Sequence, residues 1–407
     1  MSISYDQFIE KYGKSFCIKP FTEIANTVGG NMSLCCKYSD TIQIKDENTY
    51  KDFFYNNQYL KNIRKRMLEG KPIKGCTDCI MNEEVNRSSM RFGFTSAMIK
   101  RYPDIVDNAF TKGLPELKTL DIKFGNKCNL GCVMCNSISS SFIHNERKKH
   151  GIPKKLDWTT GKISNFNDTR FDQLKEISSS LVSIKSTGGE PTLLPGFKKW
   201  INYLIKRGYS KNIDYMISTN GTTDLSLWVE DFAKFKTFIV IFSHDAVGDL
   251  FEYVRYPAKF SKMQNNHEKF YKKIKDNDFT NVQIGFNMVL HALNVHQLPE
   301  VYDYFNQYQN SLQSFEVATY PYGLQPGIVS KQTIDTVKEK LAKRFKKSKN
   351  IDNCLNDLDQ QFKKIHSRDF ILKSHLTSLE TMTKYWKKTR NLDVTDFVVN
   401  YHNTISQ

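Results

Sequence analysis

The chain has 407 residues, a length that predicts two or three domains with a full apolar core and no need of disulfide bonds. Hydrophobic residues make up 39% and charged residues 25%, with 20 Gly and 11 Pro, so wholesale disorder and fibrous classes are excluded. The formal net charge of +16 favours a polyanionic partner without specifying one.

The chain begins "MSISYDQFIEKYGK", which lacks a basic segment followed by an apolar stretch, and no apolar run approaches the length that spans a bilayer. We therefore expect a cytoplasmic protein without a membrane partner. In a reducing cytosol, closely spaced cysteines are metal ligands or catalytic thiols more often than disulfides. Of the nine cysteines, only Cys354 stands alone; the others lie at 17, 35, 36, 76, 79, 128, 132 and 135.

The N-terminal segment "FCIKPFTEIANTVGGNMSLCC" predicts a β-hairpin. Gly29 and Gly30 lie at or near its turn, and cysteines lie near both of its ends. A C-x2-C pair, Cys76 and Cys79, follows the hairpin.

From about residue 115 to 322, short β-branched runs alternate with longer amphipathic stretches, which is the pattern of a parallel sheet built from βα units. The predicted strands are 117–124, 181–187, 213–219, 237–243, 282–290 and 314–320. Six strands over about 200 residues predict an incomplete α/β barrel or an open sheet. Either fold places its active site at the carboxyl ends of the parallel strands.

Residues 331–350 carry eight basic and two acidic side chains. Ile334, Val337, Leu341 and Phe345 are spaced for one face of a helix, which predicts a surface helix docked on the core. Nucleic-acid binding by this helix is the alternative interpretation, because its charge attracts phosphate.

Three cysteines follow the first predicted strand of the sheet directly. The segment "KCNLGCVMC" (127–135) spaces Cys128, Cys132 and Cys135 as C-x3-C-x2-C. Three thiolates can hold three irons of a [4Fe–4S] cube and leave the fourth iron without a protein ligand, whereas structural zinc normally takes four. The open iron would then bind a small chelating molecule. A zinc site that takes its fourth ligand from elsewhere is the alternative.

The next three predicted strands end in short polar or glycine-rich segments, "STGGEP", "STNGT" and "FSHDAVGDLFEYVRYP". Paired glycines allow the backbone to approach a ligand closely. Taken separately, Asp245 is equally well explained as a helix N-cap and Arg255 as part of a surface ion pair. Strand alternation alone leaves open whether Asn287 and Tyr320 point into the barrel.

Together these segments resemble the radical S-adenosylmethionine (SAM) superfamily. In that family the open iron binds the amino and carboxylate groups of SAM, and the reduced cluster splits the sulfonium to give a 5′-deoxyadenosyl radical. Met134 is a mild departure, since many members carry an aromatic before the third cysteine. The resemblance implies the following cofactor-binding residues: Gly188, Gly189 and Glu190 at the methionine amino group, Ser218 and Asn220 at the barrel mouth, Ser243 and Asp245 near the ribose, and Arg255 at the methionine carboxylate.

The N-terminal cysteines resemble a second module of such enzymes. The C-x12-G-x4-C spacing from Cys17 through Gly30 to Cys35 is similar to the opening of twitch and SPASM modules, which bind auxiliary iron–sulfur clusters. The better-known enzymes carry this module after the barrel, whereas here it precedes the barrel. The implied ligands are Cys17, Cys35, Cys76 and Cys79, with Cys36 left over or replacing Cys35. A four-cysteine zinc site uses the same donors and remains the alternative.

The sequence thus predicts an α/β radical SAM enzyme with a partial (β/α)6 barrel at 115–325, a cysteine-rich twitch-like module at 1–114 and a basic helical region at 326–407. The resemblance implies a SAM-binding [4Fe–4S] cluster, an auxiliary [4Fe–4S] cluster and an electron donor such as flavodoxin or ferredoxin. The expected reaction is hydrogen abstraction from a peptide, protein or small molecule. The alternatives are a radical SAM enzyme acting on a nucleotide or tRNA, and a zinc-stabilised nucleic-acid-binding protein.

Overall fold

A computed structural model describes residues 3–28, 30–39, 49–84, 89–151, 166–344, 348–398 and 401–405. Its strands are β1 (Glu23–Asn26), β2 (Met32–Ser33), β3 (Thr119–Lys123), β4 (Ser183–Thr187), β5 (Asp214–Thr219), β6 (Thr237–Ser243), β7 (Val282–Leu290) and β8 (Leu312–Val317). Its helices are α1 (Tyr5–Tyr12), α2 (Lys19–Thr22), α3 (Tyr50–Asn56), α4 (Gln58–Leu68), α5 (Thr77–Glu84), α6 (Met90–Arg101), α7 (Pro103–Lys112), α8 (Ser141–His150), α9 (Asp168–Ile177), α10 (Pro195–Lys206), α11 (Val229–Phe232), α12 (Gly248–Val254), α13 (Phe260–Asp276), α14 (Leu298–Asn306), α15 (Lys331–Arg344), α16 (Lys349–His366), α17 (Asp369–Arg390) and α18 (Tyr401–Thr404).

The strands form one sheet in the order β2-β1-β3-β4-β5-β6-β7-β8. Neighbours from β1 to β8 pair in parallel, and only the β1–β2 pair is antiparallel within the described chain. The six predicted strands are confirmed as β3 to β8, in an α/β fold consistent with a partial barrel. The last predicted strand, 314–320, begins and ends earlier in the structure, because pairing with β7 begins at Leu312 and the chain leaves the sheet after Val317.

The N-terminal hairpin is present but short, with Ala25 opposite Ser33. Gly30 adopts a φ of 79°, which suits glycine, while Gly29 lies outside the described residues. The first strand of the hairpin also pairs in parallel with β3, so the cysteine-rich region adds two strands to the main sheet. The sequence did not indicate this pairing, because the four-residue strand "EIAN" carries no usable periodicity.

The two faces of the sheet differ in burial, as alternation requires. One face is apolar and covered by helices: Phe286 packs on Phe305 of α14 with ring centroids 4.7 Å apart, and Phe242 packs on Phe270 of α13 at 5.6 Å. The opposite face carries half-buried polar side chains such as Lys185 on β4 and Ser218 on β5. This polar face is the one that can meet a ligand.

The basic helix predicted near residue 331 is confirmed as α15. Ile334, Val337 and Leu341 are buried, so the helix docks on the core through its apolar face, as expected. Phe345 lies outside the described residues. In the part of the chain that the structure describes, no helix is long and apolar enough to cross a membrane.

Candidate cluster and cofactor site

The cysteine loop, defined here as residues 127–135, follows the carboxyl end of β3 and is held by backbone hydrogen bonds. Gly131 N donates to the carbonyl of Tyr256 at 2.6 Å, and Val133 N donates to the carbonyl of Val254 at 2.9 Å. On its other side, Cys128 N donates to Ser141 Oγ at 3.0 Å. The loop is therefore fixed between the end of α12 and the start of α8.

The Gly-Gly-Glu turn after β4 packs directly on the cysteine loop. Gly189 N donates to the carbonyl of Gly125 at 3.0 Å, and Glu190 N donates to the carbonyl of Lys127 at 2.8 Å. A Cβ on Gly189 would lie 2.4 Å from the Lys127 carbonyl oxygen, closer than real contacts allow. The glycines thus allow the backbone of the turn to approach the backbone of residues 125–127. From the sequence alone, these glycines are explained only by contact with a ligand.

Glu190 is fully buried, and its carboxylate is bound by the protein itself. Oε1 accepts from Thr219 Oγ1 at 2.8 Å, and Oε2 accepts from Asn220 N at 2.6 Å. Burial raises the pKa of this carboxyl, and the donated hydrogen bonds oppose that rise. Its side chain joins the ends of β4 and β5, while Gly188 and Gly189 stay half-buried.

Asn220, at the end of β5, connects that strand to the cysteine loop. Its Nδ2 donates to Asn129 Oδ1 at 2.9 Å and lies 3.7 Å from Cys128 Sγ. The amide therefore contacts a candidate cluster ligand directly. Hydrogen bonds to ligand sulfur are one means by which proteins tune iron–sulfur clusters.

Asp245 and Arg255 form a buried ion pair between Oδ2 and Nη1, with side chains 1% and 7% exposed. Asp245 Oδ1 also accepts from Val289 N at 2.8 Å. Helix α12 begins at Gly248 with Val247 as its N-cap, so the N-cap explanation of Asp245 is wrong. The burial of the pair likewise rules out a surface ion pair.

Arg255 lies close enough to the cysteine loop to act on its thiols. Burial raises the pKa of Cys132 to about 12, and the positive charge of Arg255 opposes this rise. Burial also raises the pKa of Cys135 to about 11. Free thiols at these positions are protonated at neutral pH, and metal binding must displace the protons.

The polar face of the sheet contributes side chains from β5, β6 and β7. Ser218, Ser243 and Asn287 are half-buried there, and Ser243 is in register with Asn287. Asn287 Oδ1 is buried and has no hydrogen-bond partner within the described residues. A buried amide oxygen normally accepts a hydrogen bond, so Asn287 is a candidate ligand contact on this face. Tyr320 lies beyond the end of β8 and is 45% exposed.

The N-terminal cysteines converge on a single cavity. Its lining includes Cys17, Cys35, Cys76 and Cys79, together with Lys19 and Arg91. Cys36 is exposed and is not among the lining residues. A ring of Tyr38 packs where a Cβ on Gly75 would lie, which explains the glycine before Cys76.

Two buried cations accompany this four-cysteine cavity. Lys19 Nζ pairs with Glu23 Oε2 at 2.6 Å, and Arg91 pairs with Glu83 in another buried ion pair. Burial raises the pKa of Cys17 to about 12, while Lys19 lowers it. Four thiols flanked by cations suit a metal cluster, because bound thiolates carry negative charge. Among the described residues, however, no group of three or more His, Cys, Asp or Glu is spaced to hold a single metal ion.

The comparison with protein families decides the classification of the barrel. Residues 122–305, which contain the cysteine loop, the Gly-Gly-Glu turn and the Asp245–Arg255 pair, match the family described as the radical SAM superfamily. These residues therefore form a radical SAM domain. The domain supports an enzyme of the radical SAM class, and it implies a [4Fe–4S] cluster and SAM as cofactors. A search of curated proteins finds no match to the radical SAM chain.

Solved structures similar to the radical SAM chain include three distant ones. "Native anSMEcpe with bound AdoMet" is 20% identical at a TM-score of 0.37, covering 55% of this chain and 59% of that one. Streptococcus suis SuiB bound to precursor peptide SuiA is 14% identical at 0.37, covering 75% and 65%. TYW1 with a lysine–pyruvate adduct bound is 14% identical at 0.31, covering 56% and 74%. The chain thus spans less than two thirds of anSMEcpe and SuiB, and likenesses this distant carry no argument about its substrate.

Proposed function

We propose that this radical SAM enzyme abstracts hydrogen from a peptide, protein or small-molecule substrate at a cluster held by Cys128, Cys132 and Cys135. One observation carries the proposal: the carboxyl ends of β3 to β6 bring together three thiols, the Gly-Gly-Glu turn and a buried guanidinium. The donor set fits the cofactor, since three thiols leave one iron for SAM.

The residues around the cysteine loop suit the carboxylate and amino groups of the methionine part of SAM. Arg255, kept in place by Asp245, supplies a buried positive charge for the methionine carboxylate of SAM. The half-buried backbone of Gly188 and Gly189 suits the methionine amino group. When bound, the cluster supplies the electron for reductive cleavage of SAM. Ser218, Ser243 and Asn287 offer hydrogen-bonding groups along the polar face of the sheet.

The four-cysteine cavity is the proposed site of the auxiliary [4Fe–4S] cluster, in a twitch-like module. Support comes from the convergence of Cys17, Cys35, Cys76 and Cys79 on one cavity flanked by Lys19 and Arg91. In this assignment Cys36 is not a ligand, because it is exposed and outside the cavity lining. The auxiliary cluster would accept an electron after hydrogen abstraction, or bind the substrate.

A cleft between α6, β8 and α16 supports a peptide in preference to a nucleic acid as substrate. Met90 lines both this cleft and the four-cysteine cavity, so a molecule in the cleft lies close to the proposed auxiliary site. The charged residues that line the cleft are Glu316, Asp357, Asp359 and Lys363. Asp359 is paired with Lys338 just outside the lining, so the cleft keeps a small net negative charge that disfavours a polyanion locally, although the whole chain carries +16.

The test is anaerobic reconstitution followed by iron and sulfide analysis. We expect about eight irons per chain, from two four-iron clusters. Dithionite-reduced protein should then convert SAM to 5′-deoxyadenosine, detected by mass spectrometry. Stoichiometric zinc without sulfide would refute both cluster assignments. Stable iron without 5′-deoxyadenosine would refute the proposed reaction alone.

A further inference from the structure

A small cavity lies where the C-terminal helix α17 meets the cysteine loop. Its lining includes Cys132 and Cys135 from the loop, Glu146 from α8, and Tyr385, Trp386 and Arg390 from α17. The helical C-terminal region lies beyond the family match, which ends at residue 305. The structure nevertheless places its longest helix against two of the three proposed cluster ligands.

Arg390, the last residue of α17, holds this arrangement through a two-point ion pair with Glu146. Nε lies 2.7 Å from Oε1, and Nη2 lies 2.9 Å from Oε2. The two side chains are only 2% and 8% exposed. A bidentate, desolvated guanidinium–carboxylate pair fixes orientation as well as distance.

The same guanidinium contacts the cysteine loop at Gly131. A Cβ on Gly131 would lie 2.8 Å from Phe142 Cδ1 and 2.9 Å from Arg390 Nη2, so glycine leaves room for both side chains. The guanidinium carbon also lies 5.2 Å from the ring centroid of Tyr256, whose carbonyl accepts the Gly131 N–H at 2.6 Å. Arg390 therefore contacts both residues of the hydrogen bond that anchors the middle of the loop.

The arginine is not fully satisfied by these contacts. Nη1 of Arg390 and Oη of Tyr385 are buried and have no hydrogen-bond partner in the described parts of the chain. Both side chains line the cavity that Cys132 and Cys135 also line. Buried hydrogen-bond donors without a partner lower the stability of the folded protein. The presence of two such donors beside the loop is therefore not explained by the stability of α17.

We propose that Arg390 is a positioning residue for the cluster-binding loop: through Glu146 and Gly131 it holds the loop conformation in which Cys132 and Cys135 bind the cluster. The C-terminal helical region thereby completes the site that the barrel begins. The role in cluster binding rests on the proposed function, whereas the positioning of the loop itself does not.

The first experiment measures the loop without a cluster. Cluster-free wild type, Arg390→Ala and Arg390→Lys are treated with iodoacetamide, and the alkylation rate of each cysteine is followed by peptide mass spectrometry. We expect Cys132 and Cys135 to react about tenfold faster in Arg390→Ala, because local opening exposes them, while Cys17 stays unchanged. Arg390→Lys, which keeps the charge but loses the two-point geometry, should fall between wild type and Arg390→Ala.

The matched control is Lys387→Ala, on the same helix. Lys387 is 65% exposed and pairs with Asp393, so its removal should leave every alkylation rate unchanged. Equal rates in wild type and Arg390→Ala would overturn the proposal. Equal acceleration of all cysteines, Cys17 included, would overturn it too, since Arg390 would then stabilise the whole fold. If Arg390→Ala fails to fold, wild-type rates in Arg390→Lys overturn it.

The second experiment uses reconstituted holoprotein. Arg390→Ala should release iron from the three-cysteine cluster to a chelator about tenfold faster than wild type and shift the electron paramagnetic resonance signal of that cluster. The signal of the four-cysteine cluster should not change. A wild type that takes up no iron would refute the proposed function and leave the alkylation result standing. Normal iron uptake with identical release in the variant would refute only the role of Arg390.

Discussion

Arg255 lies one residue beyond the end of α12, and its guanidinium joins that helix to the end of β6 through Asp245. The pair is buried, so neither residue can change without leaving the other charge uncompensated. Arg255 Nε has no partner among the described residues, which leaves one donor for a ligand. A residue that looks like part of a surface ion pair in the sequence is therefore buried, beside the cysteine loop that we propose binds the cluster.

Changing Arg255 to Ala should weaken SAM binding by about 2 to 4 kcal/mol, the cost of breaking a desolvated charge pair. Calorimetry with SAM on anaerobic, reconstituted protein measures this loss. The control is Lys234→Ala, which removes an exposed pair with Asp231 and should leave SAM affinity unchanged. Equal affinities in wild type and both variants would show that the SAM pocket lies elsewhere. Because Asp245 is left unpaired, thermal melts must first confirm that Arg255→Ala is folded.

Adjacent cysteines provide a second test at the scale of single residues. Cys35 lines the four-cysteine cavity, and burial raises its pKa to about 12, whereas Cys36 is exposed. Cys35→Ala should therefore lose about half of the bound iron, and Cys36→Ala should keep all of it, by the four-ligand rule. Iron and sulfide analysis after anaerobic reconstitution decides between them. The reverse result would make Cys36 the ligand.

At the scale of elements, the site depends on the contact between two loops that follow neighbouring strands. The parallel register of β3 and β4 places Lys123 beside Thr187, so the segments that leave these strands must run side by side. Hydrogen bonds from Gly189 to Gly125 and from Glu190 to Lys127 of the cysteine loop complete this arrangement. The Gly-Gly-Glu turn thus fixes the conformation of the cysteine loop in the absence of a ligand.

Gly189→Ala should lower the free energy of unfolding by about 1 to 3 kcal/mol, because the new Cβ would press on the backbone at Asn126 and Lys127. The matched control is Gly93→Ala, in the first turn of α6, where a Cβ meets nothing within 4 Å. That change should stabilise the cluster-free protein by up to about 1 kcal/mol, since alanine favours helix. Urea denaturation of the two cluster-free variants gives both values. A neutral Gly189→Ala would contradict the tight contact.

At the scale of the whole molecule, the core and the two cysteine sites are separable. The apolar face of the sheet packs against helices through large buried side chains such as Trp200, Phe238 and Phe286. The three-cysteine loop follows β3, and the cysteines of the four-cysteine cavity lie before β1 and after β2, so both sites pack against the edge of the core without forming its main helix–sheet layer. We therefore expect the fold to persist when one cluster is removed.

The triple variant Cys128→Ala, Cys132→Ala, Cys135→Ala should lose about half of the iron and remain folded, because the barrel core does not depend on a loop cluster. Circular dichroism checks the fold, and iron analysis measures the loss. The complementary control replaces Cys17, Cys35, Cys76 and Cys79 and should lose the other half. Retention of all iron by the triple variant would refute the three-cysteine assignment.

The sequence determined the six parallel strands along the chain, the α/β class and the resemblance to the radical SAM superfamily. These features are local: β-branched runs predict strands, and the C-x3-C-x2-C, Gly-Gly-Glu and Ser-x-Asp segments each lie within a few residues of a strand end. Strand ends of a parallel sheet share one edge, so their convergence could be predicted without coordinates. The roles of the individual residues from Gly188 to Arg255 came from the resemblance to the radical SAM superfamily and stay predictions.

Only the tertiary structure decided which distant side chains meet. It pairs β1 with β3, separates Cys36 from the four-cysteine cavity, and brings Arg390 onto Glu146, 244 residues away. The hydrophobic periodicity of the sequence does not predict such contacts, because they depend on how distant helices and strands pack together in three dimensions. An arginine at the end of a basic helix looks like a solvated charge in the sequence. Burial against Gly131 and Glu146 is what places it beside the proposed cluster-binding loop.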